Sequence, residues 1–200
     1  MQKLSLATLS TLAFTLPYTN VFALDGTITV NGVIADGTCT LNGGGFAMGS
    51  KDISIDVGTI PKSKFTPTLP DPRKYAFTLY FTNAAGTGAC DVATSKAFQG
   101  IHLSVTSPDK DLDATDKRLL VNKATGTGGA SSKNPIFIQI HTKENGIVDF
   151  SAPWGVQAKS AIYTLGDETY LQYDVVPASK TGIVDAQNYA AKINYTIHYN

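Results

Sequence analysis

Apolar and polar side chains alternate along this chain in short runs, which glycine, proline and small polar residues separate. A period of two residues is typical of β-strands with one buried face. The alternation predicts strands over residues 53–57, 75–81, 101–105, 136–140, 147–150, 170–176 and 193–199. No run beyond the first 23 residues keeps a helical period over three turns. The pattern therefore predicts an all-β sandwich of about seven to nine strands.

The segments between these runs carry no periodicity of their own. Glycine, proline and small polar residues dominate them, which favours loops over residues 42–50, 61–72, 83–88, 107–116 and 124–134. No internal repeat or domain boundary divides the chain after its first 23 residues. One sandwich domain over residues 36–200 accounts for the pattern.

The first 23 residues follow a different pattern. Lys3 precedes an apolar run from Leu4 to Leu16, and a short polar stretch then ends at Ala23. This order is typical of a secretory signal peptide that is cleaved after Ala23. The apolar run is shorter than the roughly 20 residues that a membrane-spanning helix needs. We therefore expect residues 1–23 to direct export and to be removed.

A further alternating segment, residues 24–35, precedes the first cysteine. Its apolar face carries Ile28, Val30 and Ile34 together with Gly32, and no hairpin turn ties the segment to a neighbouring strand. Such a strand either folds back onto its own domain or is donated to another molecule by strand addition. The alternating run 193–199 reaches the last residues of the sequence without a polar tail, so its edge is a candidate acceptor.

Charge and cysteine content narrow the function classes. The sequence has 16 Lys and Arg and 16 Asp and Glu, and removal of Lys3 with the leader leaves a net charge of 15 − 16 = −1. Without a basic excess the chain has no electrostatic footprint for nucleic acid. Cys39 and Cys90 are the only cysteines, and in an exported chain an even pair predicts a disulfide.

Motifs for metal or phosphate binding are incomplete. Asp109, Asp111 and Asp113 are spaced as in a calcium loop, but Ala114 and Leu120 stand where that loop needs glycine and glutamate. We interpret this stretch as a solvated acidic turn. The glycine-rich run 126–129 leads into a strand instead of a helix, so it lacks the helix N-terminus of a phosphate site.

Catalytic signatures are absent from the sequence as well. His102, His141 and His198 lie in or beside three separate strands, at positions that the alternation places outward, and no nucleophile or carboxylate motif accompanies them. Trp154 is interpreted as core or groove packing, with a sugar-stacking platform in an exposed loop as the alternative. The sequence therefore predicts no catalytic residues, no metal site and no cofactor.

Both ends of the exported chain resemble a known family. The stretch from Asp25 to Ile34, Cys39 shortly after it, a second cysteine that closes an alternating strand, and the penultimate Tyr199 are similar to subunits of chaperone–usher pili such as type 1 fimbriae. The similarity extends over the exported chain, although its middle is only a general β-sandwich. The chain departs from the family pattern near its end, where Gly182, nineteenth from the last residue, is the nearest glycine.

The resemblance implies an immunoglobulin-like sandwich that lacks its final strand and is completed by donor-strand exchange. A subunit of this kind donates its N-terminal strand to its neighbour and supports cell adhesion from a fimbria on the extracellular surface, which it reaches through the periplasm. The implied donor residues are Ile28, Val30, Gly32 and Ile34, and the implied acceptor strand carries Ile193, Tyr195, Ile197 and Tyr199. The implied partners are neighbouring pilus subunits, a periplasmic chaperone, an outer-membrane usher and, through the fibre, a host-surface glycan.

Two other classes stay open at this point. A secreted carbohydrate-binding module could complete its sandwich with its own N-terminal strand and bind sugar through loop aromatics such as Trp154. An extracellular hydrolase would need polar residues that converge in one pocket. Deletion of residues 24–35 distinguishes the binding module from a pilus subunit, and a structure shows whether polar residues converge as a hydrolase requires.

Overall fold

The computed structural model of the protein describes residues 39–200 except 69, 71 and 72. The predicted signal peptide, residues 1–23, and the predicted donor segment, residues 24–35, lie outside the described residues. The donor side chains Ile28, Val30, Gly32 and Ile34 therefore stay predictions. The start of the predicted domain, residues 36–38, also lies outside this range.

The described residues form ten strands. They are β1 (Thr40–Gly45), β2 (Ala47–Met48), β3 (Ser54–Ile55), β4 (Tyr75–Thr82), β5 (Phe98–Ser104), β6 (Leu120–Val121), β7 (Phe137–Thr142), β8 (Tyr163–Leu165), β9 (Glu168–Ala178) and β10 (Asn194–Tyr199). The predicted strands 75–81, 101–105, 136–140, 170–176 and 193–199 are confirmed with small shifts at their ends.

Helices are short in the described part of the chain. They are α1 (Val92–Ala97), α2 (Pro108–Asp111) and a 3-10 turn, Lys62–Lys64. Asp91 caps α1, because its carboxylate accepts a hydrogen bond of 2.9 Å from the backbone N–H of Thr94. None of these helices is long and apolar enough to cross a membrane.

Two sheets enclose the main core. The larger has the antiparallel order β1-β4-β9-β7-β6, with β8 also on β9, and the second pairs only β5 with β10. Phe81 on β4 stacks on Phe98 on β5 with ring centroids 4.3 Å apart, and 6.2 Å separates Phe81 from Tyr199 on β10. Leu41, Leu171 and both phenylalanines are buried between the sheets. The fold is thus the all-β sandwich that the alternation predicts.

The predicted loop over residues 42–50 was wrong. Residues 42–45 continue β1, which pairs with β4 from Thr40 opposite Thr82 to Gly45 opposite Phe77. A Cβ on Gly43 would lie 2.7 Å from the backbone carbon of Ala47, and one on Gly44 would lie 2.6 Å from the Tyr80 ring. Glycine is required here by close approach, whereas in the sequence it reads as loop composition.

The predicted strand over residues 147–150 was also wrong. Only Ile147 makes an isolated bridge, to His141, and the chain turns at Phe150. Val148 and Phe150 are nevertheless buried. The alternation therefore indicated buried side chains correctly, although the segment does not form a strand. The ten described strands also exceed the predicted seven to nine, because two-residue strands such as β2 and β6 leave almost no periodic signal.

The predicted disulfide is confirmed between Cys39 and Cys90, whose Cα atoms lie 5.7 Å apart. Cys39 directly precedes β1 in the larger sheet. Cys90 precedes α1, which leads without a break into β5 of the second sheet. The bond therefore ties the two sheets together at one end of the sandwich.

Candidate functional site

The last strand presents one face to the core and one edge without a described partner. β10 pairs antiparallel with β5, from Asn194 opposite Ser104 to a bulge between His198 and Tyr199. Alternate side chains of this segment are half-buried and pack against the main core; they are Ile193, Tyr195, Ile197 and Tyr199. Within residues 39–200, no strand pairs with the other edge of β10.

The hydrogen bonds of Leu103 show which residues of β5 and β10 form hydrogen-bonded pairs and which do not. The backbone N–H and C=O of Leu103 on β5 both bond to a side chain on the far side of that strand. Leu103 is opposite Tyr195, so the two residues form a non-hydrogen-bonded pair, as do Ile101 and Ile197 two residues on. The backbone groups of Tyr195 and Ile197 therefore point away from β5, toward the edge of β10 that lacks a described partner.

A second apolar segment packs against the same core. Half-buried side chains of this segment pack against the same core as β10; they are Ile53, Ile55, Val57 and Ile60. The Tyr195 hydroxyl donates a hydrogen bond of 2.8 Å to the C=O of Lys51, and the Tyr189 hydroxyl lies 3.5 Å from the C=O of Gly58. We use the name acceptor site for eight apolar residues of these two segments; they are Ile53, Ile55, Val57, Ile60, Ile193, Tyr195, Ile197 and Tyr199.

The acceptor site has no charged side chain. Burial raises the pKa of the Tyr195 and Tyr199 hydroxyls, and burial also raises the pKa of Tyr189 to about 12. All three phenols are therefore neutral at neutral pH. A site with apolar walls and backbone donors and acceptors along one edge suits an extended strand with alternating apolar residues.

Trp154 lies in neither the core nor the acceptor site, contrary to the favoured interpretation of the sequence. Its half-exposed indole stacks on the imidazole of His198 at 3.9 Å between ring centroids, on the outer face of β10, and the Lys159 ammonium lies 4.0 Å from the indole centroid. Because these groups cover the indole, it is a poor platform for stacking a sugar ring.

The histidines are not brought together as a set. His102 and His198 are cross-strand neighbours with ring centroids 6.1 Å apart, whereas His141 lies on β7 of the larger sheet. His141 was predicted to point outward to solvent, and this was wrong, since only 5% of the residue is exposed. Its Nε2 lies 2.9 Å from the side-chain oxygen of Gln139.

One group of metal-ligand residue types clusters among the described residues, namely Cys39, Cys90 and Asp91. Both sulfurs are used in the disulfide, so the group offers a single carboxylate and is unsuited to a metal ion. Two of the three acidic residues of the calcium-like stretch form ion pairs instead. Asp111 lies 3.2 Å from Lys123, and Asp113 lies 3.0 Å from Lys180.

Sequence reasoning missed two parts of this region. The acceptor strand was predicted, but the opposing residues Ile53 to Ile60 were read only as a short strand and its flank. The side chain that binds Leu103 belongs to Gln157, which carries no pattern in the sequence. No local signal identifies such a residue, because its partner lies 54 positions away.

Comparison with solved structures identifies a protein of similar fold. No family model matches the chain, and no curated protein sequence is detectably similar to it. The crystal structure of the P pilus rod subunit PapA is similar over 87% of this chain and 100% of that chain, with a TM-score of 0.53 and 22% identity. A chaperone–usher pilus structure covers 94% of this chain and 100% of that chain, with a TM-score of 0.49 and 18% identity. The similarity to PapA shows that this chain has the pilin type of immunoglobulin-like fold.

Proposed function

We propose that this protein is a structural subunit of a surface pilus and that its acceptor site binds the N-terminal strand of a neighbouring subunit. The observation that carries the proposal is the edge of β10, where the backbone of Tyr195 and Ile197 points away from β5 beside half-buried apolar side chains. The pilin-type fold supports the same assignment.

The second sheet gives a physical reason for strand addition. It contains β5 and β10 alone among the described residues, and a two-stranded sheet is only marginally stable without further support. An added strand would pair with Tyr195 and Ile197 and would cover half-buried apolar side chains. Each aliphatic side chain of the donor that becomes buried contributes roughly 1.5–3 kcal/mol before ordering costs.

The predicted donor is residues 24–35, which place Ile28, Val30, Gly32 and Ile34 on one face. Donation from each subunit to the next is a head-to-tail contact, and contacts of this type produce an open filament. Because the donated strand becomes part of a core, its release requires local unfolding of the acceptor. The joint is then stable for kinetic reasons.

The same site defines the expected partners. Until a neighbour arrives, an exposed apolar groove beside a free strand edge is an aggregation hazard. A periplasmic chaperone that lends a strand would cover it, and an outer-membrane usher would exchange that strand for the next subunit's donor segment. The fibre would then lie on the cell surface and would present adhesive contacts, including contacts to host glycans. The role is structural, with no catalytic step.

Two matched substitutions on β10 test the proposal. Ile197→Asp places a carboxylate on the half-buried inner face, whereas Thr196→Asp places the same group on the exposed outer face. In cells that assemble the fibre, electron microscopy of surface appendages should show no incorporation of the Ile197→Asp chain and normal incorporation of the Thr196→Asp chain. Equal incorporation of both variants would contradict the acceptor site.

Deletion of residues 24–35 tests the donor half of the proposal. The shortened chain should still be accepted at a fibre end or by a chaperone but should not extend the fibre further. A shortened chain that is a stable, soluble monomer and binds a glycan would instead support the carbohydrate-binding class.

A further inference from the structure

The second sheet has another edge, on the far side of β5, and one side chain occupies it. Gln157 is 3% exposed. Its Oε1 accepts a hydrogen bond of 2.8 Å from the backbone N–H of Leu103, and its Nε2 donates one of 2.8 Å to the C=O of the same residue. The primary amide thus makes the pair of bonds that a residue of an adjacent strand would make.

The amide is fixed in this orientation by a third bond. Its Nε2 also donates to the C=O of Asp149 at 2.8 Å, so nitrogen and oxygen are not interchangeable at this position. The backbone N–H of Gln157 donates to the C=O of Pro153 at 3.0 Å and closes a turn. Hydrogen bonds within residues 149–157 therefore fix the position of Gln157 independently of its contact with β5.

The segment that carries Gln157 also contacts both strands of the second sheet. The C=O of Ala152 lies 3.0 Å from Nε2 of His102 on β5, and Trp154 stacks on His198 on β10. Residues 149–157 nevertheless contain no strand. At Leu103 the edge of β5 is thus met by one amide from an irregular segment, which satisfies the N–H and C=O of that residue without extending the sheet.

We propose that Gln157 closes the edge of β5 at Leu103 and thereby restricts strand addition in the second sheet to β10. Unpaired backbone groups on a strand edge are a template for another chain, and an open edge at Leu103 would accept a strand from a second copy of this protein. With that edge closed, the second sheet accepts one strand. The consequence for a fibre would be an unbranched filament, and this part of the inference rests on the proposed function. The closure of the β5 edge does not rest on it.

Deuterium exchange of the full chain tests the closure directly. In the wild-type chain the amide of Leu103 should exchange as slowly as the amides that β5 shares with β10, for example that of His102. Gln157→Ala should speed exchange at Leu103 by about tenfold or more, since the acceptor of that amide is removed. Gln172→Ala, at a half-exposed position on β9, is the matched control and should leave Leu103 unchanged.

Self-association of the same chains tests the consequence. Ile197→Asp blocks the β10 edge, so any association of the double variant Ile197→Asp with Gln157→Ala must use another edge. Sedimentation velocity should show concentration-dependent dimers of the double variant but not of Ile197→Asp with Gln172→Ala. This comparison does not depend on fibre formation, which separates failure of the closure from failure of the proposed function.

Two results would overturn the proposal. One is fast exchange at Leu103 in the wild-type chain, which needs no variant to fold. The other is a folded double variant in which Leu103 exchanges rapidly but which stays monomeric at every concentration measured.

Discussion

At the scale of single residues, close contact between two backbone segments determines that position 182 is glycine. Gly182 adopts φ +74° in the connection between β9 and β10, and a Cβ added there would lie 2.2 Å from the C=O oxygen of Thr66. Both features exclude any other residue without a shift of one backbone. The position marks the contact of two loops that lie 116 residues apart in the sequence, 182 − 66.

Gly182→Ala should therefore destabilise the protein by about 2 kcal/mol or more, because it combines backbone strain with a steric clash. Gly155→Ala is the matched control, since nothing lies within 4 Å of a Cβ there and its φ is not positive. Denaturant unfolding of the two variants measures the difference. Equal midpoints would contradict the predicted clash.

The ion pair of Asp113 with Lys180 predicts a dependence of stability on acid. Partial burial acts to raise the pKa of Asp113, but hydrogen bonds from Thr115 and Lys180 outweigh it and lower the pKa from 3.8 to about 2. The carboxylate is thus favoured in the folded state. It stabilises the fold above pH 3.8, and this contribution disappears as the pH falls through about 2.

Asp113→Asn should remove this part of the acid dependence. Between about pH 4 and about pH 2, the free energy of unfolding should fall less steeply for the variant than for the wild-type chain. Asp109→Asn, at an exposed position without a described ion pair, should keep the wild-type slope. Urea unfolding at several pH values gives the slopes, and parallel curves for all three chains would refute the expectation.

At the scale of elements, the long connection from β9 to β10 is held by side-chain amides instead of secondary structure. Asn122, 5% exposed, donates from Nδ2 to the C=O of Asn188 at 2.7 Å and accepts at Oδ1 from the N–H of Ala190 at 3.0 Å. Gln187 similarly donates to the C=O of Asn134 at 2.9 Å. These bonds fix the chain just before it enters β10 and thereby position that strand.

Asn122→Ala should cost about 1–2 kcal/mol of stability, because the C=O of Asn188 and the N–H of Ala190 lose a partner in partly buried hydrogen bonds. It should also increase amide exchange across residues 186–192 before it affects the larger sheet. Asn194→Ala, which removes one exposed side-chain bond to Thr106, should cost less than about 0.5 kcal/mol. Exchange that rises uniformly over the whole chain would argue against a local role for Asn122.

At the scale of the whole molecule, a larger sheet supports a smaller one. The larger sheet has six strands and the second has two among the described residues. The disulfide joins them at one end and closes a loop with a sequence separation of 51. The second sheet is the part in which strand addition is proposed, so the bond also limits how far its two strands separate from the core.

Replacement of Cys39 and Cys90 by alanine should lower the free energy of unfolding by about 4 kcal/mol, since the unfolded chain regains the entropy of that loop. Guanidinium unfolding of the double variant measures the loss, and wild-type protein unfolded under reducing conditions should show a similar one. A loss below about 1 kcal/mol would mean that the unfolded chain is restricted by other contacts.

The sequence alone determined most of the longer strands, the disulfide and the face of β10 that meets the core, because alternation and cysteine pairing are properties of the residues themselves. Tertiary structure decided which glycines lie inside a strand, as at Gly43 and Gly44, and which buried alternation has no sheet partner, as at Val148 and Phe150. It also decided that Trp154 covers the back of β10 and that Gln157 covers the edge of β5. These outcomes depend on residues that are distant in sequence, and a local pattern carries no information about the backbone that a side chain will meet.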